Sequence, residues 1–250
     1  MEFNNKIVEY FSDIFSILDE RVSLGKLLMT DDFCWDDFRD WLDEEVFKDK
    51  DGRWDWPDCL TCNDINFYFN AGETKMVITV DDYRDYISEK FDQNFVIKIP
   101  FGNTYYNYCD KEKVFSSILI EEYPDIKDLF ALCYSLFKRY DTDIYVMERA
   151  TVDDLEEKGA SRLIESDRKF LERKGYNEKE INEIISRNYS RYYSPGESTV
   201  KEILQVSYPS RIYGLLEDFL GTFKINDIHR GNIGFINNNP VIIDYSGYYE

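Results

Sequence analysis

Apolar residues at helical spacing dominate the first part of the chain. Over residues 3–29 they recur every three or four positions, which predicts one or two amphipathic helices. Residues 31–58 are rich in Asp and Trp, and a second apolar stripe predicts the buried face of another helix before a turn at Asp51 and Gly52. This stripe consists of Phe33, Phe38, Trp41, Leu42 and Phe47. We interpret residues 1–60 as a helical extension that either packs on the next segment or meets a partner.

The pattern changes from helical to alternating at residue 65, as expected for half-buried strands. Residues 65–70, 75–80 and 95–100 are predicted strands, with a turn at 71–74 between the first two. Residues 81–92 are predicted to be helical or looped. This part of the chain therefore predicts a small antiparallel sheet.

Helical and strand-like segments then alternate up to residue 150. Residues 110–123 are a predicted helix that a proline ends, residues 129–140 contain a further helix or strand, and residues 144–147 form a strand. We place a domain boundary near residue 150, so that residues 61–150 form one strand-rich lobe.

The remaining segment, residues 151–250, is predicted to be mainly helical. Its charged first part, residues 151–200, is helix-prone with a break at 194–196. Apolar positions over residues 200–223 predict another helix, and a turn at 235–240 joins two short strands. The predicted fold class is α+β, with a helical extension, a sheet lobe and a helical lobe.

The net charge of the chain limits the classes of partner that it can bind. It has 50 acidic and 30 basic residues, a formal net charge of −20. Such a surface repels nucleic acid and anionic membranes, so we expect neither as a direct partner, whereas a basic or host protein would be attracted. No apolar run is long enough to span a membrane and the start lacks the order of a secretion signal, so we expect a cytoplasmic protein.

Five cysteines and one histidine limit the metal chemistry of the chain. Cys59 and Cys62 form a single Cys-x-x-Cys pair, but a structural zinc needs two more ligands and only Cys34 lies nearby. The histidine, His229, lies far along the chain. Free thiols are therefore the expectation.

Two acids and an amide near the C-terminus form the strongest chemical signal. The segment DIHRGN places Asn232 five residues after Asp227, and Asp244 follows an apolar run that reads as a strand. Carboxylate and amide oxygens are the ligands that Mg²⁺ prefers, and a further carboxylate can orient a substrate hydroxyl. This spacing indicates a phosphotransfer site.

These segments resemble the protein-kinase-like fold, and more closely its aminoglycoside-phosphotransferase-like branch. The resemblance implies that Asp227 is the catalytic residue and that Asn232 and Asp244 hold Mg²⁺. It also implies a bilobed α+β fold with a small antiparallel-sheet N-lobe and a reduced helical C-lobe. In its compactness, the chain is similar to kinase-like proteins of bacteriophages.

Residues 95–98, Phe-Val-Ile-Lys, resemble the third-strand motif of the same family. The resemblance implies that Lys98 pairs with the α- and β-phosphates of ATP. The family also places a glutamate partner for this lysine on the following helix. Glu112 is the candidate, and Glu121 and Glu122 on the same predicted helix remain alternatives.

Two further segments occupy positions that the family uses for the nucleotide. Gly72 and Thr74 lie in the place of the glycine-rich loop, and Glu148 and Ala150 in the place of the hinge whose backbone binds adenine. The loop has one glycine where the family usually has two or three. Only six residues follow Asp244, where a protein kinase continues into an activation segment, so we expect no regulation by activation-loop phosphorylation.

The leading hypothesis is an ATP- and Mg²⁺-dependent phosphotransferase that moves the γ-phosphoryl group to a hydroxyl acceptor. The alternative is a catalytically weak or inactive kinase-like module that binds a partner protein through its acidic surface. The sparse glycine loop and the short helical lobe favour this alternative. A third hypothesis, which rests on charge alone, is mimicry of nucleic acid.

Overall fold

The computed structural model divides the chain into two compact units. The first consists of Met1–Ser117 and Leu132–Arg149, and the second of Ile118–Ala131 and Ala150–Glu250. The chain therefore leaves the first unit after Ser117 and returns to it at Leu132. The structure describes residues 5–30, 32–47, 59–84, 91, 94–102, 106–152, 155–193 and 197–246.

A six-stranded antiparallel sheet belongs to the first unit. Its strands are β1 (Cys59–Cys62), β2 (Ile65–Ala71), β3 (Lys75–Asp82), β4 (Phe95–Pro100), β5 (Cys133–Arg139) and β6 (Thr142–Glu148). Their order across the sheet is β1-β2-β3-β4-β6-β5. The sheet and the helices described below confirm the predicted α+β class.

Four of these strands lie where the sequence predicts them, and two differ. β1 is an addition, because a four-residue segment is too short to show an alternating pattern. For residues 129–140 the sequence admits a helix or a strand, and the structure has β5 there, after a 3₁₀ turn at Lys127–Leu129. Residues 81–92 are predicted to be helical or looped. In the structure, β3 extends to Asp82, and much of the rest of this segment lies outside the described residues.

The N-terminal segment forms three helices that share a core with the sheet. They are α1 (Asn5–Val22), α2 (Leu24–Leu28) and α3 (Trp35–Trp41), which continues as a π-helical turn at Leu42–Val46. Ser23, with a left-handed φ of 53°, separates the first two helices. The predicted turn at residues 51 and 52 lies outside the described part of the chain.

Aromatic contacts join these helices to the sheet. The ring of Phe38 lies 6.5 Å from that of Phe69 and 6.2 Å from that of Phe101, and the ring of Trp41 lies 5.7 Å from that of Phe69. The apolar stripe predicted for this segment is buried, in one cluster with residues of β2, β3 and β4. Of the two interpretations of residues 1–60, packing on the next segment therefore holds for this stripe.

The opposite face of the sheet carries polar side chains. Lys98 is paired in register with Val77 on one side and with Tyr145 on the other, and Lys75 is paired with Pro100. Opposite residues of antiparallel strands point to the same face, and so do residues two apart on one strand. Lys75, Lys98 and Tyr145 therefore share one face of the sheet.

Helix α4 (Tyr108–Glu121) follows β4 in the chain, and its residues up to Ser117 belong to the first unit. The prediction of a helix over residues 110–123 is therefore confirmed. Its first half supplies the acidic residue of the site described below.

The second unit is mainly helical. A π-helical turn at Leu155–Gly159 leads into α5, and the helices are α5 (Ala160–Arg173), α6 (Glu178–Arg187), α7 (Tyr189–Tyr193), α8 (Glu197–Ser207) and α9 (Ser210–Thr222). The predicted break at residues 194–196 lies outside the described residues. Within the part of the chain that the structure describes, no helix has both the length and the apolar character needed to cross a membrane.

A short hairpin follows the helices. Its strands, β7 (Ile233–Ile236) and β8 (Asn239–Ile242), are joined through Asn237 and Asn238, whose φ angles of 49° and 66° are left-handed. Two consecutive left-handed residues, most often Asn or Gly, are typical of a tight hairpin turn. The predicted pair of short strands is therefore confirmed.

Aromatic packing fixes the chain just after this hairpin. The hydroxyl of Tyr245 donates to the carbonyl of Ala131 at 2.8 Å, and its ring lies 5.2 Å from that of Phe130. Phe130 in turn lies 5.3 Å from Phe219 on α9. Asp244, directly before Tyr245, is therefore attached to a packed part of the second unit.

Candidate functional site

A buried ion pair joins β4 to α4 in the first unit. The Nζ of Lys98 lies 2.7 Å from the Oε2 of Glu112, and the two side chains are 4% and 0% exposed. A buried lysine is costly unless it is paired, so each charge needs the other. Glu121 and Glu122, the two alternative partners from the sequence, are exposed. The pairing belongs to Glu112.

Two attachments of α4 to the sheet hold Glu112 in place. At the start of the helix, the side chain of Asn107 accepts a backbone N–H of the first turn at 3.0 Å and donates to the hydroxyl of Tyr145 on β6 at 3.0 Å. Further along, the hydroxyl of Ser116 accepts the N–H of Cys133 on β5 at 2.8 Å. Because Glu112 lies between these two attachments, its carboxylate is directed at the sheet.

A second lysine reaches the same carboxylate. Lys75, the first residue of β3, donates from its Nζ to the Oε1 of Glu112 at 2.7 Å, and its side chain is 6% exposed. The Nζ of Lys98 also lies 3.4 Å from the Sδ of Met147. Two ammonium groups therefore converge on one buried carboxylate. Sequence reasoning missed Lys75, because a lysine beside a turn usually extends into solvent.

The pKa of the Cys133 thiol depends on this buried cluster. Burial, followed by the negative charge of Glu112, raises its pKa well above the ordinary value for cysteine. Because the thiolate is the reactive form, we expect iodoacetamide at mildly alkaline pH to label Cys133 much more slowly than the partly exposed Cys59 and Cys62.

Peptide mass spectrometry during labelling of the native protein measures this order. The denatured protein is the control, in which all five cysteines should react at similar rates. Labelling of native Cys133 as fast as that of Cys59 would contradict the described packing.

The predicted phosphate loop is a short turn between β2 and β3. The N–H of Gly72 donates to the carbonyl of Lys75 at 3.1 Å, and the carbonyl of Thr74 accepts the N–H of Phe101 at 3.0 Å. A Cβ added at Gly72 would meet no atom of the described residues within 4 Å. Packing inside the first unit therefore does not require a glycine at this position.

The predicted hinge begins at Glu148, the last residue of β6. The N–H of Glu148 donates to the carbonyl of Leu132 at 3.0 Å, and its carboxylate accepts the N–H of Leu132 at 2.9 Å. The N–H of Arg149 donates to the carbonyl of Asn94 at 2.8 Å. Two backbone N–H groups of this segment are thus used within the first unit. The adenine contact assigned to Glu148 and Ala150 stays a prediction.

The loop that contains Asp227 forms a compact turn in the second unit. The Nδ2 of Asn232 donates to the carbonyl of Asp227 at 2.8 Å and lies 3.2 Å from its Oδ2. The Nε2 of His229 lies 3.4 Å from the Oδ1 of Asp227, and its Nδ1 accepts the N–H of Gly231 at 3.0 Å. The Asp227 side chain is 31% exposed. Sequence reasoning treated His229 only as part of the motif, so its contact with the carboxylate is an addition.

The β7–β8 hairpin returns the chain to this loop and places Asp244 beside it. The N–H of Ile243 donates to the carbonyl of Asn232 at 2.9 Å, which continues the pairing of the hairpin by one step. The hydroxyl of Ser246 donates to the Oδ1 of Asp244 at 3.0 Å. Asp227, Asn232 and Asp244 therefore lie at the same end of one hairpin.

The chemistry of these side chains suits a hard cation. Because the Nδ2 of Asn232 faces Asp227, its amide oxygen is the atom left for a metal, and Asp244 offers carboxylate oxygen. Mg²⁺ is commonly held by one or two such protein groups together with water and substrate phosphates. Among the described residues, no three His, Cys, Asp or Glu side chains form a metal-binding group.

The predicted site residues are thus distributed over the two units. The first unit contains Lys98, Glu112, Gly72, Thr74 and Glu148, and the second contains Ala150, Asp227, Asn232 and Asp244. The structure brings Lys98 into contact with Glu112, and Asp227 into contact with Asn232. Comparison of the chain with protein-family models, curated proteins and solved structures gives no match.

Proposed function

We propose that this chain is an ATP- and Mg²⁺-dependent phosphotransferase with a protein-kinase-like fold. The succession of elements supports the proposal. Counted from residue 65, Lys98 lies on the third strand, α4 follows that strand, and the predicted hinge follows the fifth. These are the positions that the resemblance assigns to the phosphate-pairing lysine, the glutamate helix and the adenine-binding segment.

The buried ion pair between Lys98 and Glu112 is the observation that carries the proposal. In protein kinases, the third-strand lysine is held by a glutamate of the next helix and pairs with the α- and β-phosphates. The chain has a net charge of −20, so a polyphosphate ligand requires local positive charge. Lys98 and Lys75 supply it on one face of the sheet.

Asn232 and Asp244 are the proposed Mg²⁺ ligands. Both offer oxygen atoms, and the hairpin places both beside the Asp227 loop. When bound, Mg²⁺ would neutralise phosphate charge. The protein's contribution is to hold the amide oxygen and the carboxylate at fixed positions, the first through its bond to Asp227 and the second through Ser246.

Asp227 is the proposed catalytic residue. Its carboxylate can orient the hydroxyl of an acceptor and take up its proton, because one oxygen faces the amide of Asn232 and the group remains partly exposed. In phosphoryl transfer, the protein contributes mainly positioning and charge stabilisation. The contacts of Asp227 with Asn232 and His229 provide the positioning.

Nucleotide binding that depends on Mg²⁺ tests this proposal. A ligand at about a hundred times its dissociation constant adds about 2.7 kcal/mol to the free energy of unfolding, so we expect a clear rise in Tm with ATP and Mg²⁺ together. ATP with a chelator and Mg²⁺ alone are the controls. An unchanged Tm at millimolar ATP and Mg²⁺ would overturn the proposal and favour the non-enzymatic binding module.

A further inference from the structure

We infer that Lys75 is a second phosphate-binding residue of the nucleotide site, beside Lys98. The inference rests on the proposed function, and it concerns a residue for which the kinase resemblance supplies no role. Two lysines that share one glutamate then bind the polyphosphate.

The geometry around Glu112 places the two ammonium groups side by side. The Nζ of Lys75 donates to the Oε1 of Glu112, and the Nζ of Lys98 donates to the Oε2, each at 2.7 Å. The two oxygens of one carboxylate are close together, so both Nζ atoms are confined to the same small region. Strand register puts both lysines on the same face of the sheet, and an anion that reaches one ammonium therefore also comes near the other.

The position of Lys75 in the chain favours a role in phosphate binding. It directly follows the turn at residues 71–74, which occupies the place of a glycine-rich loop and has one glycine, Gly72. Glycine-rich loops hold phosphate through backbone N–H groups, and here the N–H of Gly72 donates to the carbonyl of Lys75. A lysine at the end of the turn offers a charged side-chain donor to phosphate in addition to the backbone N–H groups that such a loop offers.

The charge of two lysines around one glutamate also suits a polyphosphate ligand. Two lysines bring one more positive charge to Glu112 than a single lysine would, in a chain with a net charge of −20. Lysine is a compact point charge with three donors, and it can keep its bond to Glu112 while it donates to a phosphate oxygen. We therefore expect Lys75 to favour nucleotides that carry a polyphosphate over the nucleoside.

The test compares Lys75→Met with the wild-type chain in its affinity for MgATP and for adenosine, measured by competition with a fluorescent ATP analogue. A charge-assisted hydrogen bond corresponds to a loss of about ten- to a hundredfold in MgATP affinity. Adenosine affinity should stay within about twofold. Lys138→Met, at an exposed position of β5, is the matched control and should bind both ligands as the wild type does.

Each outcome decides the inference. MgATP affinity in Lys75→Met equal to that in Lys138→Met overturns the role of Lys75 and leaves the proposed function standing. Equal losses for MgATP and adenosine overturn it as well, since they show a distorted site. Failure of the wild type to bind any nucleotide overturns the proposed function itself. If Lys75→Met does not fold, Lys75→Gln, which retains a donor for Glu112 without the charge, takes its place with the same expected results.

Discussion

Replacement of Glu112 by alanine is expected to lower the free energy of unfolding by about 3–5 kcal/mol. The carboxylate is 0% exposed and accepts from Lys75 and Lys98 at 2.7 Å each. Its removal leaves two ammonium groups in the core without their shared counter-charge, and a buried charge that is not balanced costs much more than a lost contact. Urea unfolding followed by circular dichroism measures the change.

Two matched variants separate charge balance from helix propensity and from function. Glu121→Ala lies on the same helix at an exposed position and should change stability by no more than about 0.5 kcal/mol. The triple variant Lys75→Met, Lys98→Met and Glu112→Leu should regain much of the lost stability, because apolar residues can replace a buried ion network, and it should bind no nucleotide. A loss in Glu112→Ala no greater than in Glu121→Ala would show that the carboxylate is not buried as described.

Replacement of Asp227 by asparagine is expected to lower Mg²⁺-dependent ATP turnover by about a hundred- to ten-thousandfold. Asparagine keeps the size of the side chain but can neither accept a proton from a hydroxyl nor carry its charge. With water as the acceptor, release of phosphate from ATP measures the rate without knowledge of the natural acceptor. ATP affinity should change little, because the role proposed for this carboxylate is contact with the acceptor.

Asp244→Asn should show a different pattern, with loss of both turnover and Mg²⁺-dependent ATP binding, since its oxygens are assigned to the cation. Asp218→Asn, at an exposed position of α9 in the same unit, is the control for both variants and should behave as the wild type. Turnover in Asp227→Asn equal to that in Asp218→Asn would remove the catalytic role of Asp227.

The strands most easily predicted from the sequence are those with one face on the N-terminal helices. β2 and β3 alternate in burial, so their apolar residues show the period of two that marks a strand. β5 was ambiguous for a physical reason. Its register with β6 shifts between Ser135 and Phe137, and such an irregularity interrupts the alternation.

The candidate site was predictable where its residues are close in sequence. Asp227 and Asn232 are five residues apart, and their contact follows from one tight turn. The sequence favoured Glu112 but left Glu121 and Glu122 as alternatives, because spacing along a helix does not say which part of the helix packs on the sheet. The structure decides among them through the attachments of α4 to β5 and β6.

Lys75 was missed because its contact is non-local. It is 37 residues from Glu112, and only the register of β3 with β4 places it on the same face as Lys98. A sequence pattern contains no information on that register until the neighbouring strand is known. His229 was undervalued for a similar reason, since its approach to Asp227 depends on the conformation of the turn.

We propose above that the chain binds MgATP, with Lys98 at the phosphates and Asp244 at Mg²⁺. Titration calorimetry of MgATP against the wild type, Lys98→Met and Asp244→Asn tests it most directly. We expect one MgATP per chain for the wild type, weaker binding for each variant, and loss of Mg²⁺ dependence in Asp244→Asn. Absence of binding to the wild type, or equal affinity in all three proteins, would contradict the claim.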